Sequence, residues 1–294
     1  MKRIFLFIMT NILVLFMVNI VMAVFNVQPY LTQYGLNYQS LLIFCLIWGS
    51  VGSLISLMMS KFMAKMAMGV KIVENGPLVD RVHALARKAG ITKMPEVGVY
   101  ESPEVNAFAT GPSRNNSLVA VSSGLLNQMG DDEVEGVLAH EIAHVANGDM
   151  ITMSLVQGVV NAFVMFFSRI VAFAIDNALR DENGRGGLGG FARFGVIIVL
   201  DIVFGLAAAP LVAWFSRWRE FRADAGGAQL AGRHKMIAAL QGLQRTIEYA
   251  DAGGSKGEDS FASFKISSNK SLAFLFRSHP PLDARIKALQ QGNY

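Results

Sequence analysis

The fold class this sequence predicts is a membrane protein bearing an α+β domain: an N-terminal transmembrane helical hairpin, a small sheet joined to a His-Glu-x-x-His helix, and a second hydrophobic helical pair. Three observations predict it. The 294 residues are 52% hydrophobic and only 16% charged, too apolar for an ordinary soluble domain of this size. Four long hydrophobic blocks punctuate the chain, and the stretches between and after them carry the alternation and turn residues of a compact fold.

The first element is Ile4 to Phe25, a run of 22 residues without a charge. As a helix it measures about 33 Å, enough to cross a hydrocarbon core of about 30 Å. A signal peptide is the alternative. The run is far longer than the apolar core of one, no small-x-small cleavage site follows, and a second apolar run comes at Ser40 to Ser60, so an uncleaved hairpin over 1–69, with helices at about 4–25 and 40–60, is the better reading. Lys2 and Arg3 precede the first run, Asn26 to Gln39 holds no Lys or Arg, and Lys61, Lys65 and Lys71 follow the second, which places both ends of the hairpin on the cytoplasmic side.

Residues 70–150 come next, as a cytoplasmic catalytic part. Leu78 to Ala89 has helical periodicity; Glu96 to Tyr100, Val105 to Thr110 and Ser117 to Ser122 read as strands, with Pro112 to Asn116 as the turn of a hairpin or meander. The third and fourth blocks, Ile151 to Ile175 and Phe194 to Phe215, form the second hydrophobic pair over 151–215. Arg169 and Asp201 lie inside them and are expected either to pair or to serve function, since a charge in lipid needs a partner or water. The connection Asp176 to Gly190 is Gly-rich, without phosphate-loop spacing, and reads as a flexible linker. Residues 216–294 read as a helical C-terminal catalytic part with a loose loop at Ala252 to Lys270.

The chemistry concentrates at 140–144, His-Glu-Ile-Ala-His. Positions four apart share one helix face, so His140 and His144 can present two imidazoles to one ion while Glu141 reaches water beside it. With 5 His in the chain, the motif should arise by chance only about 0.003 times. Its context is helical as well: Asp131, Asp132, Glu133 and Glu135 suit a helix start, Val134, Val137, Leu138, Ile142 and Val145 make an apolar stripe, and Gly148 suits the end. Such a site makes the α+β part a zinc-metalloprotease domain, and it needs a third protein ligand. Glu220 and Asp224 are four apart in Arg-Trp-Arg-Glu-Phe-Arg-Ala-Asp, so Glu220 can bind one zinc ion per chain while Asp224 orients a ligand histidine. By themselves these acids fit equally well as partners of Arg217, Arg219 and Arg222; the histidine pair tips the balance to ligation. His279, ahead of Pro280 and Pro281, reads unaided as a surface-loop residue, with Arg285 on a terminal helix. His83 and His234 have no ligand-like spacing and read as ordinary helix-surface residues.

Together these residues resemble the HtpX family, bacterial membrane-bound zinc metalloproteases related to the CAAX prenyl proteases. The resemblance runs end to end, through the hairpin, Asn106-Ala-Phe-Ala-Thr-Gly111, Ala139-His-Glu-Ile-Ala-His-Val145, Arg219-Glu-Phe-Arg-Ala-Asp224 and Ser278-His-Pro-Pro-Leu-Asp283. It implies His140, His144 and Glu220 as zinc ligands, Glu141 as general base and Asp224 as the acid behind the ligands. It also implies that His279 stabilises the tetrahedral intermediate, against the unaided reading. Asn106, Ala107, Phe108, Ala109 and Thr110 match an edge strand that aligns an extended substrate by backbone pairing, and Arg285 is expected to support the site. The family further implies a multi-pass protein of the bacterial inner membrane with its site facing the cytoplasm. Its substrates would be misfolded or damaged membrane proteins, in quality control under stress such as heat shock, with other membrane proteases or quality-control proteins as possible partners.

The remaining features exclude more than they add. The net charge of +4 is dispersed, which argues against a nucleic-acid partner, and the single cysteine, Cys45, sits in an apolar run and excludes a disulfide framework. An intramembrane protease would carry its motif inside a hydrophobic block, whereas His140 follows an acidic cluster. A transporter-like scaffold would show internal repeats, and the two apolar pairs do not resemble each other.

Overall fold

The computed structural model describes residues 37–181, 186–251 and 279–292, together with Ile20. Apart from Ile20, the first expected span at 4–25, most of the connection after it, residues 182–185 and residues 252–278, within which the loop expected at 252–270 falls, lie outside the described residues. The chain divides into two compact units, one of 1–56 with 152–212 and one of 57–151 with 213–294.

Three described helices are long and apolar enough to cross a membrane: α1 (Tyr38–Met68), α5 (Asp149–Ala178) and α6 (Gly189–Ala231). Within the first unit, α1 and α5 approach closely because small residues face each other. A Cβ on Gly49 would stand 2.6 Å from the Gly158 carbonyl oxygen, one on Gly158 would stand 2.5 Å from Ser53 Oγ, and Ser154 Oγ donates to the Ser53 carbonyl at 2.8 Å. Leu42, Cys45 and Leu46 pack beside this seam with Ala162, Phe166 and Phe173. Arg169 Nη1 donates to the Met165 carbonyl at 2.9 Å and lies 4.0 Å from Asp201 Oδ1, so the expected pairing is present only at the limit of an ion pair. The Gly-rich connection is less free than its composition suggests. Asp176 accepts from the Leu188 N–H at 2.8 Å and from Arg180 Nη2 at 2.6 Å, tying its two ends together.

Where the sequence reading sets a boundary near 215, the chain remains helical: α6 runs 43 residues, through Pro210 and on past Glu220 and Asp224. No glycine or proline stands between Phe215 and Asp224 to end the helix where its composition changes from apolar to charged.

The second unit is built on a four-stranded sheet of order β1-β2-β4-β3: β1 (Lys71–Val73), β2 (Glu96–Tyr100), β3 (Ala107–Ser113) and β4 (Asn116–Ser122). Strands β2 and β4 pair parallel; β1 with β2 and β3 with β4 pair antiparallel. The hairpin is thus as expected, although Pro112 and Ser113 still belong to β3, whose register shifts between Thr110 and Ser113. Gly111 allows this. Its φ is 141°, and a Cβ there would stand 2.2 Å from the Asn116 carbonyl oxygen. Strand β1 is too short to have announced itself in sequence.

One sheet face is covered by α2 (Pro77–Lys88), α3 (Ser123–Gln128) and α4 (Asp131–Asn147), whose core includes Val82, Leu85, Val97, Val119, Val121, Leu125, Leu138 and Ile142. His83, expected on the surface, is half-buried and sits 3.1 Å from the Pro95 carbonyl; His234 is exposed as expected. Helices α7 (Arg233–Asp251) and α8 (Leu282–Gln291) complete the unit. The acidic start of α4 is consumed by pairing: Asp131 with Arg81, Glu133 with Arg245, and Asp132 and Glu135 with Lys235.

Candidate metal centre

Helix α4 opens with three acids in its first turn and closes at Gly148, whose φ of 65° is left-handed. Its apolar stripe buries it against the sheet, and the same burial orients the opposite positions. His140 is 7% exposed and faces His144 one turn on, with their Nε2 atoms 3.1 Å apart. Glu220, 1% exposed, arrives from α6 and sets its carboxylate oxygens 3.4 Å from each of those two nitrogens. Helix α6 reaches this position because Gly226 and Gly227 lie flat on α4: a Cβ on Gly226 would stand 2.8 Å from Ala143 Cβ, and one on Gly227 3.2 Å from the His140 N.

This cluster fits a metal ion. Three donor atoms at about 2.0–2.1 Å from a tetrahedral zinc ion stand about 3.4 Å from one another, close to the spacings that His140, His144 and Glu220 present. Among the described residues it is the one group of His, Cys, Asp and Glu whose donor atoms converge within 4.8 Å.

The other nitrogen of each histidine is tied to a carboxylate. His140 Nδ1 is 3.0 Å from Asp224 Oδ1, and His144 Nδ1 is 2.7 Å from Asp149 Oδ2. Arg285, 5% exposed, grips Asp224 with Nε at 2.8 Å and Nη2 at 2.6 Å. Its Nη2 is also 3.5 Å from His140 Nδ1, but the nearer carboxylate claims that proton. Burial works against charge on Asp224, yet Arg285 and His140 hold its carboxyl below the usual carboxylate range. Glu220 is likewise opposed by burial and held far down by His140, His144 and His279. Burial lowers His144, but Asp149 and Glu220 outweigh it and raise the imidazole to about 9.

His279 Nδ1 meets Glu220 Oε2 at 2.8 Å, while the ring as a whole stays 64% exposed. It borders a cavity of about 850 Å³ that is also lined by Asn106, Ala107, His140, Glu141 and Glu220. Strand β3 forms the edge of the sheet beside it, and the hydroxyl of Ser122 secures the entry to that strand by accepting from the Asn106 N–H at 3.0 Å and donating to the Glu104 carbonyl at 2.6 Å. Of the five expected strand residues, Asn106 lies just outside β3, and Ala107, Phe108, Ala109 and Thr110 lie in it.

Comparison with known proteins agrees with this chemistry. Residues 73–292 match the description Peptidase family M48. The chain belongs to peptidase family M48. It is 50% identical to Protease HtpX of Chromohalobacter salexigens, over 100% of this chain and 99% of that one, and 54% identical to Protease HtpX of Shewanella loihica, over 99% of each. A crystal structure of S. mikatae Ste24p superposes with a TM-score of 0.60 at 18% identity, covering 98% of this chain and 66% of that one, a likeness of fold. An M48 chain of HtpX type with three helices of membrane length and a convergent His-His-Glu cluster is a membrane metallopeptidase that acts on protein substrates.

Two of the arginines that compete for Glu220 and Asp224 in the sequence, Arg219 and Arg222, bond elsewhere in this M48 chain. Arg222 donates to Asp149 at 2.6 Å and lies 5.3 Å above the Trp218 ring, and Arg219 reaches Ser216 Oγ at 3.1 Å. Asp149 is the residue that sequence reasoning missed. Only its place directly after a helix-ending glycine, five residues past His144, could have drawn attention to it.

Proposed function

We propose that this chain is a zinc-dependent endopeptidase in which His140, His144 and Glu220 hold the ion and Glu141 is the general base. The carrying observation is the convergence of the two Nε2 atoms and the Glu220 carboxylate at spacings of 3.1 and 3.4 Å. Zinc bound there supplies Lewis acidity, acidifying a water and polarising the scissile carbonyl.

The chain's own residues do the rest. Glu141, on the cavity wall, takes the proton of the attacking water and delivers it to the leaving amine. His279, held by Glu220 at the exposed mouth of the cavity, donates toward the oxyanion as it develops. Asp224, gripped by Arg285, keeps the His140 proton on Nδ1 and leaves Nε2 free. Strand β3, at the sheet edge with Ala107 to Thr110 just after Asn106, offers its outer backbone edge to an extended peptide beside the site.

The substrates in this reading are misfolded or damaged membrane proteins, cut on the cytoplasmic side of a bacterial inner membrane as part of quality control under stress. Three helices of membrane length and the asymmetry of Lys and Arg around the N-terminal runs support the placement. The two catalytic parts at 70–150 and 216–294 would then act together as one cytoplasmic machine.

The test compares wild type with Glu141→Gln, each stripped of metal in detergent and reloaded with zinc, against a loosely folded protein. Wild type is expected to bind one zinc and cleave, and Glu141→Gln to bind zinc and not cleave. Normal turnover by Glu141→Gln would falsify the assigned base; no zinc binding by wild type would overturn the centre itself. Sidedness is read separately, by labelling Glu74→Cys in a Cys45→Ser background with an impermeant thiol reagent in intact cells. Labelling before lysis would refute a cytoplasmic site.

A further inference from the structure

Asp149 has no part in the mechanism above, yet it is 1% exposed and directed at the candidate metal centre. The left-handed Gly148 ends α4, and Asp149, the first residue of α5, follows it directly. Asp149 Oδ2 then lies 2.7 Å from His144 Nδ1, and its Oδ1 accepts from Arg222 Nη2 at 2.6 Å. The arrangement repeats, on the second histidine, what Asp224 and Arg285 make behind the first. Each imidazole backs onto a buried carboxylate that an arginine also grips, Arg285 on both oxygens of Asp224 and Arg222 on the Asp149 oxygen that does not meet His144.

We propose that Asp149 is a positioning residue that keeps the His144 proton on Nδ1 and so presents a bare Nε2 to zinc, with Arg222 fixing which oxygen does so. The inference rests on the reading of His144 as a zinc ligand. Its physical basis is the donor inventory: a carboxylate has only acceptors, an arginine only donors, and a neutral imidazole one of each. With both oxygens accepting, His144 Nδ1 must carry the hydrogen. The simpler alternative is that Asp149 merely joins the start of α5 to α6 through Arg222.

The amide variant separates the two. In Asp149→Asn the single carbonyl oxygen is claimed by Arg222, which can only donate, so the amide NH2 faces His144 Nδ1 and drives the proton to Nε2, where it blocks the metal. Removing Arg222 as well lets the amide turn over and accept from Nδ1 again. Zinc affinity, measured on the full-length protein in detergent by competition with a chromophoric chelator, is expected to fall ~10–100-fold in Asp149→Asn. It should fall less in Arg222→Leu, and the double variant should bind more tightly than Asp149→Asn alone. A packing role predicts the opposite order, because the double variant loses more contacts.

Melting of the metal-free proteins accompanies each titration. Wild-type affinity in Asp149→Asn, or a double variant no tighter than the single, overturns the proposal. Should Asp149→Asn fail to fold, Arg222→Leu decides: weakened zinc binding with unchanged metal-free melting supports the proposal, and unchanged affinity overturns it. His144→Ala keeps this outcome distinct from failure of the zinc reading. If it binds zinc as wild type does, His144 is no ligand and both fall; if it loses zinc while Asp149→Asn keeps it, only the role of Asp149 falls.

Discussion

At the scale of single residues, the Asp224–Arg285 pair shows how much of the centre rests on side chains that never meet the ion. Both are buried, and the arginine binds through two nitrogens, at 2.8 and 2.6 Å. Breaking one partner of such a pair leaves a buried charge unmatched and costs about 3–5 kcal/mol. Arg285→Leu is therefore expected to lose stability on that scale, and Arg285→Lys to recover only part of it, since an ammonium restores the charge but not the two-pronged fit. Denaturant unfolding of the three proteins in detergent checks the order. The His140, Glu141 and His144 pattern was legible because a helix puts positions four apart on one face whatever surrounds it. Asp149 was not, because its direction depends on one left-handed glycine and on an arginine 73 positions along the chain.

Among the elements, α7 owes its place to a missing side chain. A Cβ on Gly136 of α4 would stand 2.3 Å from the Lys235 carbonyl oxygen, a backbone atom that cannot turn aside. Gly136→Ala is expected to push α7 away and lower stability by about 1–3 kcal/mol, visible as a drop in melting temperature. Cleavage should fall with it, because Met236, Leu240 and Leu243 of α7 line the cavity.

The end of α1 is tied to the sheet by charge instead. Lys61 and Lys65 reach Glu96 at 2.8 and 2.5 Å, and although burial opposes it, they hold that carboxyl below its ordinary value. A depressed folded value means that the contribution to stability is whole above the unfolded value, about 4.3, and fades as pH falls through the folded one. Wild type should thus lose more stability than Glu96→Gln between neutral pH and about pH 3; parallel acid limbs would show that the pair contributes nothing. The strands and α4 were readable from alternation and caps. The full length of α6 was not, because a change from apolar to charged composition looks like a boundary when the backbone has none.

For the whole molecule, the metal and the membrane make separate demands on one chain. The candidate ligands come from α4 and α6, 76 positions apart between His144 and Glu220, so an ion held by both cross-links distant parts of the second unit. Chelation is expected to lower the melting temperature and zinc to restore it, with about 4 kcal/mol of stabilisation at zinc a thousandfold above its dissociation constant. Glu141→Gln should show the same restoration, since it removes no ligand; a scan with and without chelator decides.

The sequence by itself determined that the chain enters a membrane, that it carries an α+β part, and that two histidines share a helix face with a glutamate next to the first, since composition and period follow from local geometry alone. Only the tertiary structure decided that Glu220 meets the histidines, that Arg285 and Arg222 each hold a carboxylate behind one of them, and that β3 lies at the sheet edge beside Glu141. Those facts depend on which surfaces bury against each other across long stretches of chain, through helix crossings that glycines at 136, 226 and 227 permit.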